Sequence, residues 1–178
     1  MLLSSTRAYT GRIIHVDHDT VAFPDASTGT LEMVRHPGAA AVVPLLDQPT
    51  APDPRVLIIR QFRHAADDFI WEVPAGTLAQ GETAEQCAIR ELEEEAGCRA
   101  DSVQLLTTVF TTPGFTDERI HLYLAAGVAR GPGRPDRDEF ITVHEFAWSE
   151  VIDLIRTGGI RDGKSLCALF YVHTFLRG

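Results

Sequence analysis

The residues with the clearest chemical potential are glutamates that recur within one short stretch of the chain. From Arg90 to Ala96 the sequence reads Arg-Glu-Leu-Glu-Glu-Glu-Ala. Glu91 and Glu95 are four residues apart, so on a helix their side chains lie one turn above each other on one face. Two anions so placed repel, and a bound cation would turn that repulsion into affinity. Carboxylate oxygens suit Mg²⁺ or Mn²⁺, so the spacing indicates a metal site, and a solvated acidic face is the alternative.

A helix must position these carboxylates, and the flanking residues mark its two ends. Thr83 and Gln86 have the spacing of a capping box, which predicts that the helix begins after Thr83. Gly97 suits the left-handed position that commonly ends a helix. Five apolar residues at roughly helical spacing are expected to face a core: Ala84, Cys87, Ala88, Ile89 and Leu92.

The complete pattern resembles the Nudix box. Gly76 is followed after five residues by Glu82, and after seven more by the run from Arg90 to Gly97. Cys98 is a mild departure, because the family usually has a larger aliphatic residue there. The resemblance implies an α/β fold, a Nudix-type α/β/α sandwich with a mixed sheet. It also implies a hydrolase that uses a divalent metal, Mg²⁺ with Mn²⁺ as the alternative. The expected substrate is a nucleoside diphosphate linked to another moiety, and the bond cleaved lies in the diphosphate.

The same resemblance assigns roles to residues of the box. It implies that the carboxylates of Glu91 and Glu95 and the backbone carbonyl of Ala75 are metal ligands. Glu94 lies beside them and could complete a further metal position. Arg90 precedes Glu94 by four residues, so an ion pair between them could orient that carboxylate.

Two further box residues are expected to shape the loop before the helix. Glu82 is interpreted as a brace for this loop, with a metal ligand as the alternative. Gly76 is predicted to permit a backbone conformation closed to other residues.

The flanking segments resemble the ADP-ribose pyrophosphatase branch of the family. Pro113 lies sixteen residues after Gly97, and the segments QFR and WEVPAG are similar to the same branch. The resemblance implies hydrolysis of ADP-ribose to AMP and ribose 5-phosphate. The alternatives are a GDP-mannose-type pyrophosphatase and a non-catalytic module that senses a nucleotide. The candidate substrate contacts are Arg63, whose guanidinium matches phosphate oxygens, and Arg35, Pro113, Gly114 and Phe115.

The general base has more than one candidate. In the branch that this chain resembles, a glutamate on a mobile loop closes over the substrate, and Glu139 is the nearest match. Asp138 is the adjacent candidate, and Glu94 is the candidate within the box. A base on such a loop is assembled only when the substrate excludes bulk water. The alternative is that the loop charges are simply solvated.

Composition and charge limit the classes of partner and compartment. The chain has 178 residues, a hydrophobic content of 44% and a formal net charge of −9, which argues against non-specific nucleic-acid binding. No apolar run is long enough to span a bilayer, so no membrane partner is expected. Three cysteines make a disulfide framework improbable, and a reduced cytoplasmic setting is the default.

The order of predicted elements gives one catalytic domain preceded by an antiparallel strand extension. We expect residues 1–36 to form this extension and residues 37–178 to form the Nudix hydrolase domain. Within the extension, a turn is predicted at residues 17–19. A buried strand is expected at residues 39–46, and later helices at residues 149–155 and 165–176. Related proteins are commonly homodimers that exchange N-terminal strands, so a homodimer is expected here.

Overall fold

The computed structural model describes residues 1–131 and 140–177. Its strands are β1 Leu2–Thr10, β2 His15–Ala22, β3 Thr28–Arg35, β4 Ala39–Pro44, β5 Arg55–Arg63, β6 Asp68–Glu72, β7 Ala75–Thr77, β8 Cys98–Arg99, β9 Ser102–Phe110, β10 Arg119–Ala126, β11 Ala129–Arg130 and β12 Ile141–Ala147. Its helices are α1 Ala84–Ala96, α2 Trp148–Arg156 and α3 Gly163–Phe175, with a 3₁₀ turn at His64–Ala66.

Strand β4 lies at the centre of the molecule, and all six of its residues are buried. It belongs to a sheet of order β7-β4-β10-β9, in which β4 runs parallel to β10 and antiparallel to β7. Ala39, Ala41 and Val43 pack on the side of α2 and α3, whereas Ala40 and Val42 pack on the side of α1. Helices therefore cover both faces of a mixed sheet, which confirms the predicted α/β/α sandwich.

The N-terminal segment forms its own antiparallel sheet of order β1-β2-β3. The predicted turn at residues 17–19 is wrong, because β2 continues through it. Asp17 and Asp19 are only 6% and 5% exposed, and buried carboxylates require partners. Arg35 on β3 binds both of them, and Arg7 on β1 also binds Asp17. These ion pairs allow two aspartates to occupy the interior of a strand.

Helix α1 begins and ends where its capping residues predict. The Thr83 hydroxyl accepts from the Gln86 backbone N–H at 3.2 Å, and Gln86 Oε1 accepts from the Thr83 N–H at 2.9 Å. Gly97 ends the helix with a φ of 61°. The predicted burial of Ile89 is wrong, since its side chain is 40% exposed. The buried face of α1 is centred on its glutamates, and Ile89 falls outside it.

Helices α2 and α3 start slightly earlier than the sequence predicts. Helix α2 begins at Trp148, one residue before the predicted start, and the N–H and hydroxyl of Ser149 donate to Asp53 at 2.9 and 2.8 Å. Helix α3 begins at Gly163 with Asp162 as its N-cap. Within the described ranges, no helix has the length and apolar content needed to cross a membrane.

Candidate active site

The two box carboxylates that were predicted to bind a metal lie against strand β7. Glu91 and Glu95 are 6% and 3% exposed. Glu95 Oε2 accepts a hydrogen bond from the Ala75 N–H at 2.8 Å. Strand β7 is held in turn by pairing with Ala39–Ala41 of β4. The fold therefore brings Ala75, Glu91 and Glu95 together, as their predicted role requires.

Gly76 provides the space that this arrangement needs. A Cβ atom built on Gly76 would overlap the carboxylate of Glu91. The glycines of the described chain with positive φ do not include Gly76, so the predicted reason, an unusual backbone conformation, is wrong. Glycine is required here because the Glu91 carboxylate approaches the backbone closely.

Arg90 connects α1 to the loop that precedes it. Its guanidinium donates to Glu82 at 2.8 and 3.0 Å, to Glu91 at 2.6 Å and to Glu94 at 2.9 Å. A further bond reaches the Thr77 carbonyl at 3.1 Å. The hydrogen bond from Arg90 lowers the pKa of Glu82 below its ordinary value. Glu82 thus has the contacts of a loop brace, and the expected Arg90–Glu94 ion pair is present.

The donor set around β7 fits a hard divalent cation. Mg²⁺ is commonly held by one or two carboxylates together with substrate phosphates. In residues 1–131 and 140–177, no cluster of three or more His, Cys, Asp or Glu side chains is arranged as a metal cage. The fit therefore rests on Glu91, Glu95 and the carbonyl of Ala75. Burial raises the pKa of the neighbouring Cys87 thiol to about 12, and a soft sulfur ligand is not one that Mg²⁺ prefers.

A cavity of about 620 Å³ opens beside β7. Its size lies within the usual range of small-molecule sites. Ala75 and Gly76 form one part of its wall, and Arg63, Glu72 and Lys164 form another. The cavity is therefore lined both by the strand that contacts Glu91 and Glu95 and by Arg63, the side chain that is predicted to contact the diphosphate.

Arg63 is held in the cavity wall by Glu72. Its Nε and Nη2 donate to the two oxygens of this carboxylate at 2.6 and 2.8 Å. Lys164 from the first turn of α3 also donates to Glu72. Burial disfavours the ionised form of Glu72, but the hydrogen bond from Arg63 and the charge of Lys164 outweigh it. The pKa of the carboxyl therefore lies below its ordinary value.

Sequence reasoning missed the contribution of Lys164 and Asp162 to this wall. Two signals could have found them. Lys164 is the only lysine of the chain, and it occupies the first turn of a helix, where the macrodipole disfavours a cation. Asp162 precedes the apolar helix by one residue, as an N-cap does.

Arg35 lies away from this cavity. It donates to Asp17 at 3.1 Å and to Asp117 at 3.2 Å, and it also binds Asp19. Among the described residues that line the cavity, Arg35 is absent. Its contacts join the N-terminal sheet to the loop before β10, and a role in substrate binding stays a prediction.

The loop between β9 and β10 reaches the cavity through residues other than the predicted ones. Pro113, Gly114 and Phe115 are exposed, and Phe115 is 52% exposed. Thr111 and Glu118 from the same loop line the cavity. The Thr111 hydroxyl donates to Glu118 at 2.9 Å. The proposed contacts of Pro113, Gly114 and Phe115 with substrate stay predictions.

Two of the three candidate bases lie outside the described residues, namely Glu139 and Asp138. The third, Glu94, has a side chain that is 41% exposed and paired with Arg90. The choice between them stays a prediction.

Curated proteins related to this chain carry several names. A methanol dehydrogenase activator from Bacillus methanolicus is 34% identical, covering 96% of this chain and 90% of its own length. An ADP-ribose pyrophosphatase from Bacillus subtilis is 33% identical with the same coverage. A GDP-mannose pyrophosphatase from Yersinia enterocolitica is 34% identical, covering 79% of this chain and 77% of its own length.

A solved structure and a family model resemble this chain over most of its length. A solved structure described as an ADP compounds hydrolase superposes with a TM-score of 0.82 at 19% identity, covering 99% of this chain and 93% of its own. This likeness supports the fold. The family model for the NUDIX domain matches residues 35–169. This range contains the site residues Gly76, Arg90, Glu91 and Glu95. The chain therefore belongs to the NUDIX family of proteins.

Proposed function

We propose that this protein hydrolyses the diphosphate bond of a nucleoside diphosphate sugar, with ADP-ribose as the substrate and AMP and ribose 5-phosphate as products. One observation carries this function: β7 contacts the buried Glu91 and Glu95 and also lines the cavity whose wall includes Arg63. A diphosphate in this cavity would lie near Arg63 and near the strand that contacts the two glutamates. The Bacillus subtilis relative named as an ADP-ribose pyrophosphatase supports the substrate.

The metal is proposed to be Mg²⁺, with Mn²⁺ as a possible substitute. Glu91, Glu95 and the Ala75 carbonyl would hold it, and Glu94 could reach a further position. A bound divalent cation supplies Lewis acidity and lowers the pKa of a bound water. The Glu91 carboxylate lies against Gly76 and accepts a hydrogen bond from Arg90 at 2.6 Å.

The remaining tasks fall to side chains of the cavity and the loop. Arg63 offers a guanidinium to the diphosphate, and two of its five N–H groups are used by Glu72. Glu139 is proposed to take the proton of the attacking water, with Glu94 and Asp138 as rivals. Because general-base catalysis contributes about 10²–10⁴-fold, removal of the true base should lower kcat by that factor.

A substrate panel tests the proposed reaction. Purified protein with Mg²⁺ is given ADP-ribose, GDP-mannose and nucleoside triphosphates, and the release of AMP, GMP or pyrophosphate is measured. We expect a higher kcat/KM for ADP-ribose than for GDP-mannose. The relative named as a GDP-mannose pyrophosphatase supports the opposite order as the second candidate. Binding of these compounds without hydrolysis of any would instead support a nucleotide-sensing module.

The metal site is tested by removing its carboxylates. We expect Glu91→Gln and Glu95→Gln to abolish detectable activity and the double variant to lose Mn²⁺ binding in isothermal titration, with the fold retained. Glu93→Gln is the matched control, because Glu93 lies on the same helix but is 45% exposed and pairs with Arg99. Normal Mn²⁺ binding by the double variant would reject this metal assignment.

Assembly and compartment complete the proposal. We propose that the protein is a homodimer whose N-terminal sheet packs on the partner. We also propose that it is cytoplasmic. All nine residues of β1 are exposed in the single chain, which supports a partner there. Cys87, Cys98 and Cys167 are free thiols, which is compatible with a reducing compartment.

A further inference from the structure

Four ionised side chains form a continuous series from the cavity wall to the start of α3. Arg63 donates to Glu72, Lys164 donates to Glu72, and Lys164 Nζ lies 3.0 Å from Asp162 Oδ2. The exposed fractions of these side chains are 40% for Arg63, 1% for Glu72, 12% for Lys164 and 18% for Asp162. Arg63 is therefore the member that presents most of its surface to a ligand.

The inner members of this series are fixed at several points. Asp162 accepts from the Ser165 N–H at 2.9 Å and from its hydroxyl at 2.6 Å. Ser165 Oγ accepts in turn from the Val73 N–H at 2.9 Å, so the residue next to Glu72 is also tied to α3. With both carboxylate oxygens occupied, Glu72 cannot rotate without breaking charged hydrogen bonds. Its orientation, and so that of Arg63, depends on the start of α3.

Lys164 also changes the net charge of the side chains beside the cavity. A carboxylate paired with one guanidinium forms a neutral pair, which attracts a diphosphate weakly. Lys164 adds a positive charge to the Arg63–Glu72 pair. The negative charge of Asp162 lies at the N-terminus of α3, where the helix macrodipole favours an anion. With Lys164 the formal charges of the four side chains sum to zero, whereas without it the series would carry a net charge of −1 beside the cavity and would repel a diphosphate.

We propose that Lys164 is a positioning residue, which acts through Glu72 to orient Arg63 and to keep its positive charge available for the substrate diphosphate. This inference rests on the proposed hydrolysis of a nucleoside diphosphate sugar. It assigns Lys164 to diphosphate affinity and leaves the attack of water to other groups.

The first test replaces the charge and keeps the length of the side chain. Lys164→Met should raise KM by about tenfold and change kcat by less than about threefold, because uniform binding is lost. The substrate is the nucleoside diphosphate sugar that the wild type hydrolyses best in the panel. Arg161→Met is the matched control, since Arg161 is 63% exposed and pairs only loosely with Asp68 at 3.4 Å. Unchanged KM in Lys164→Met would overturn the assignment.

A double-mutant cycle separates action through Glu72 from direct contact with the substrate. Glu72→Gln should itself raise KM, because Arg63 loses its anchor. In that background, adding Lys164→Met should change KM by less than about twofold, since residues that act as one unit are not additive. A full additional tenfold rise would show direct contact by Lys164 and would overturn the positioning role.

A measurement on the wild-type protein avoids any dependence on folding of the variants. Because Lys164 is the only lysine, protein labelled with ¹⁵N at the lysine Nζ gives one side-chain ammonium signal. Inorganic pyrophosphate, added in EDTA, should shift this signal in the wild type, and a signal that stays unmoved at saturation would contradict the coupling. Pyrophosphate needs no hydrolysis, so failure of every panel substrate would reject the proposed function alone. An unmoved signal would reject any link between Lys164 and the cavity, and the double-mutant cycle separates action through Glu72 from direct contact.

Discussion

At the scale of single residues, the site depends on how closely a carboxylate approaches the backbone. Glu91 lies against Gly76, and Arg90 donates to the same carboxylate at 2.6 Å. A carboxylate buried in this way is costly unless its partners are correctly placed. The geometry therefore leaves little room for an added methyl group beside Glu91.

Gly76→Ala is expected to displace the Glu91 carboxylate and to weaken metal binding. We expect the Kd for Mn²⁺, measured by isothermal titration, to rise by about tenfold or more, because a loss of about 1.4 kcal/mol of binding free energy raises Kd tenfold. Gly163→Ala is the control for metal binding, because a Cβ there meets no atom within 4 Å. An unchanged Kd in Gly76→Ala would show that Glu91 can move without loss of the metal.

At the scale of elements, charged hydrogen bonds from Arg90 help to attach the loop before α1 to the helix. Glu82 receives two hydrogen bonds from Arg90 and accepts a third from the Ala79 N–H at 2.9 Å. The side chain of Glu82 is 13% exposed. This attachment should therefore respond to the protonation of Glu82.

Glu82→Gln is expected to lower the free energy of unfolding by about 1 kcal/mol near neutral pH, the usual net value of such a hydrogen bond. Because the pKa of Glu82 is lowered in the folded state from a reference of 4.5, the wild type gains this stability above that reference. The gain is lost as pH falls below about 4.5 through the folded-state pKa. Urea unfolding at a series of pH values measures the difference, which should shrink in acid. A difference that stays constant down to pH 3 would contradict this role.

At the scale of the whole molecule, the N-terminal sheet stands at one side of the sandwich. Its attachments to the loop before β10 include the pairing of Val34 with Thr116 and the ion pair of Arg35 with Asp117. Leu2, Leu3 and Tyr9 on β1 are 55%, 49% and 58% exposed. A nine-residue edge strand with apolar side chains favours association with another chain.

The homodimer is tested by changing these side chains. We expect the wild type to be dimeric in light scattering at micromolar concentration, and Leu3→Glu with Tyr9→Glu to shift it towards monomer. A stable interface buries at least about 1,000 Å², so charges inside it should be disruptive. Ser5→Glu adds a charge to the same strand without removing apolar surface, and it should shift the dimer less. A monomeric wild type would reject this assembly.

Features encoded by near neighbours could be predicted from the sequence. The capping box of Thr83 and Gln86, the end of α1 at Gly97 and the pair Glu91 and Glu95 all depend on spacings of three to four residues or on one glycine. The fully buried β4 follows from an unbroken apolar run. Such features need no knowledge of the rest of the chain, because the helix or strand period alone sets which side chains meet.

The remaining features depended on contacts between distant parts of the chain. Asp17 lies in a strand because Arg35, eighteen residues later, neutralises it. Glu72 meets Lys164 across ninety-two residues, and no local period relates them. Gly76 and Glu91 are both in the box, yet their close approach arises only when β7 pairs with β4 and α1 packs over them. The sequence by itself determined the family, the helix and the placement of Glu91 and Glu95 on one face of that helix. Only the tertiary structure decided which charges surround Arg63, because ion pairing between separate elements is set by how those elements pack.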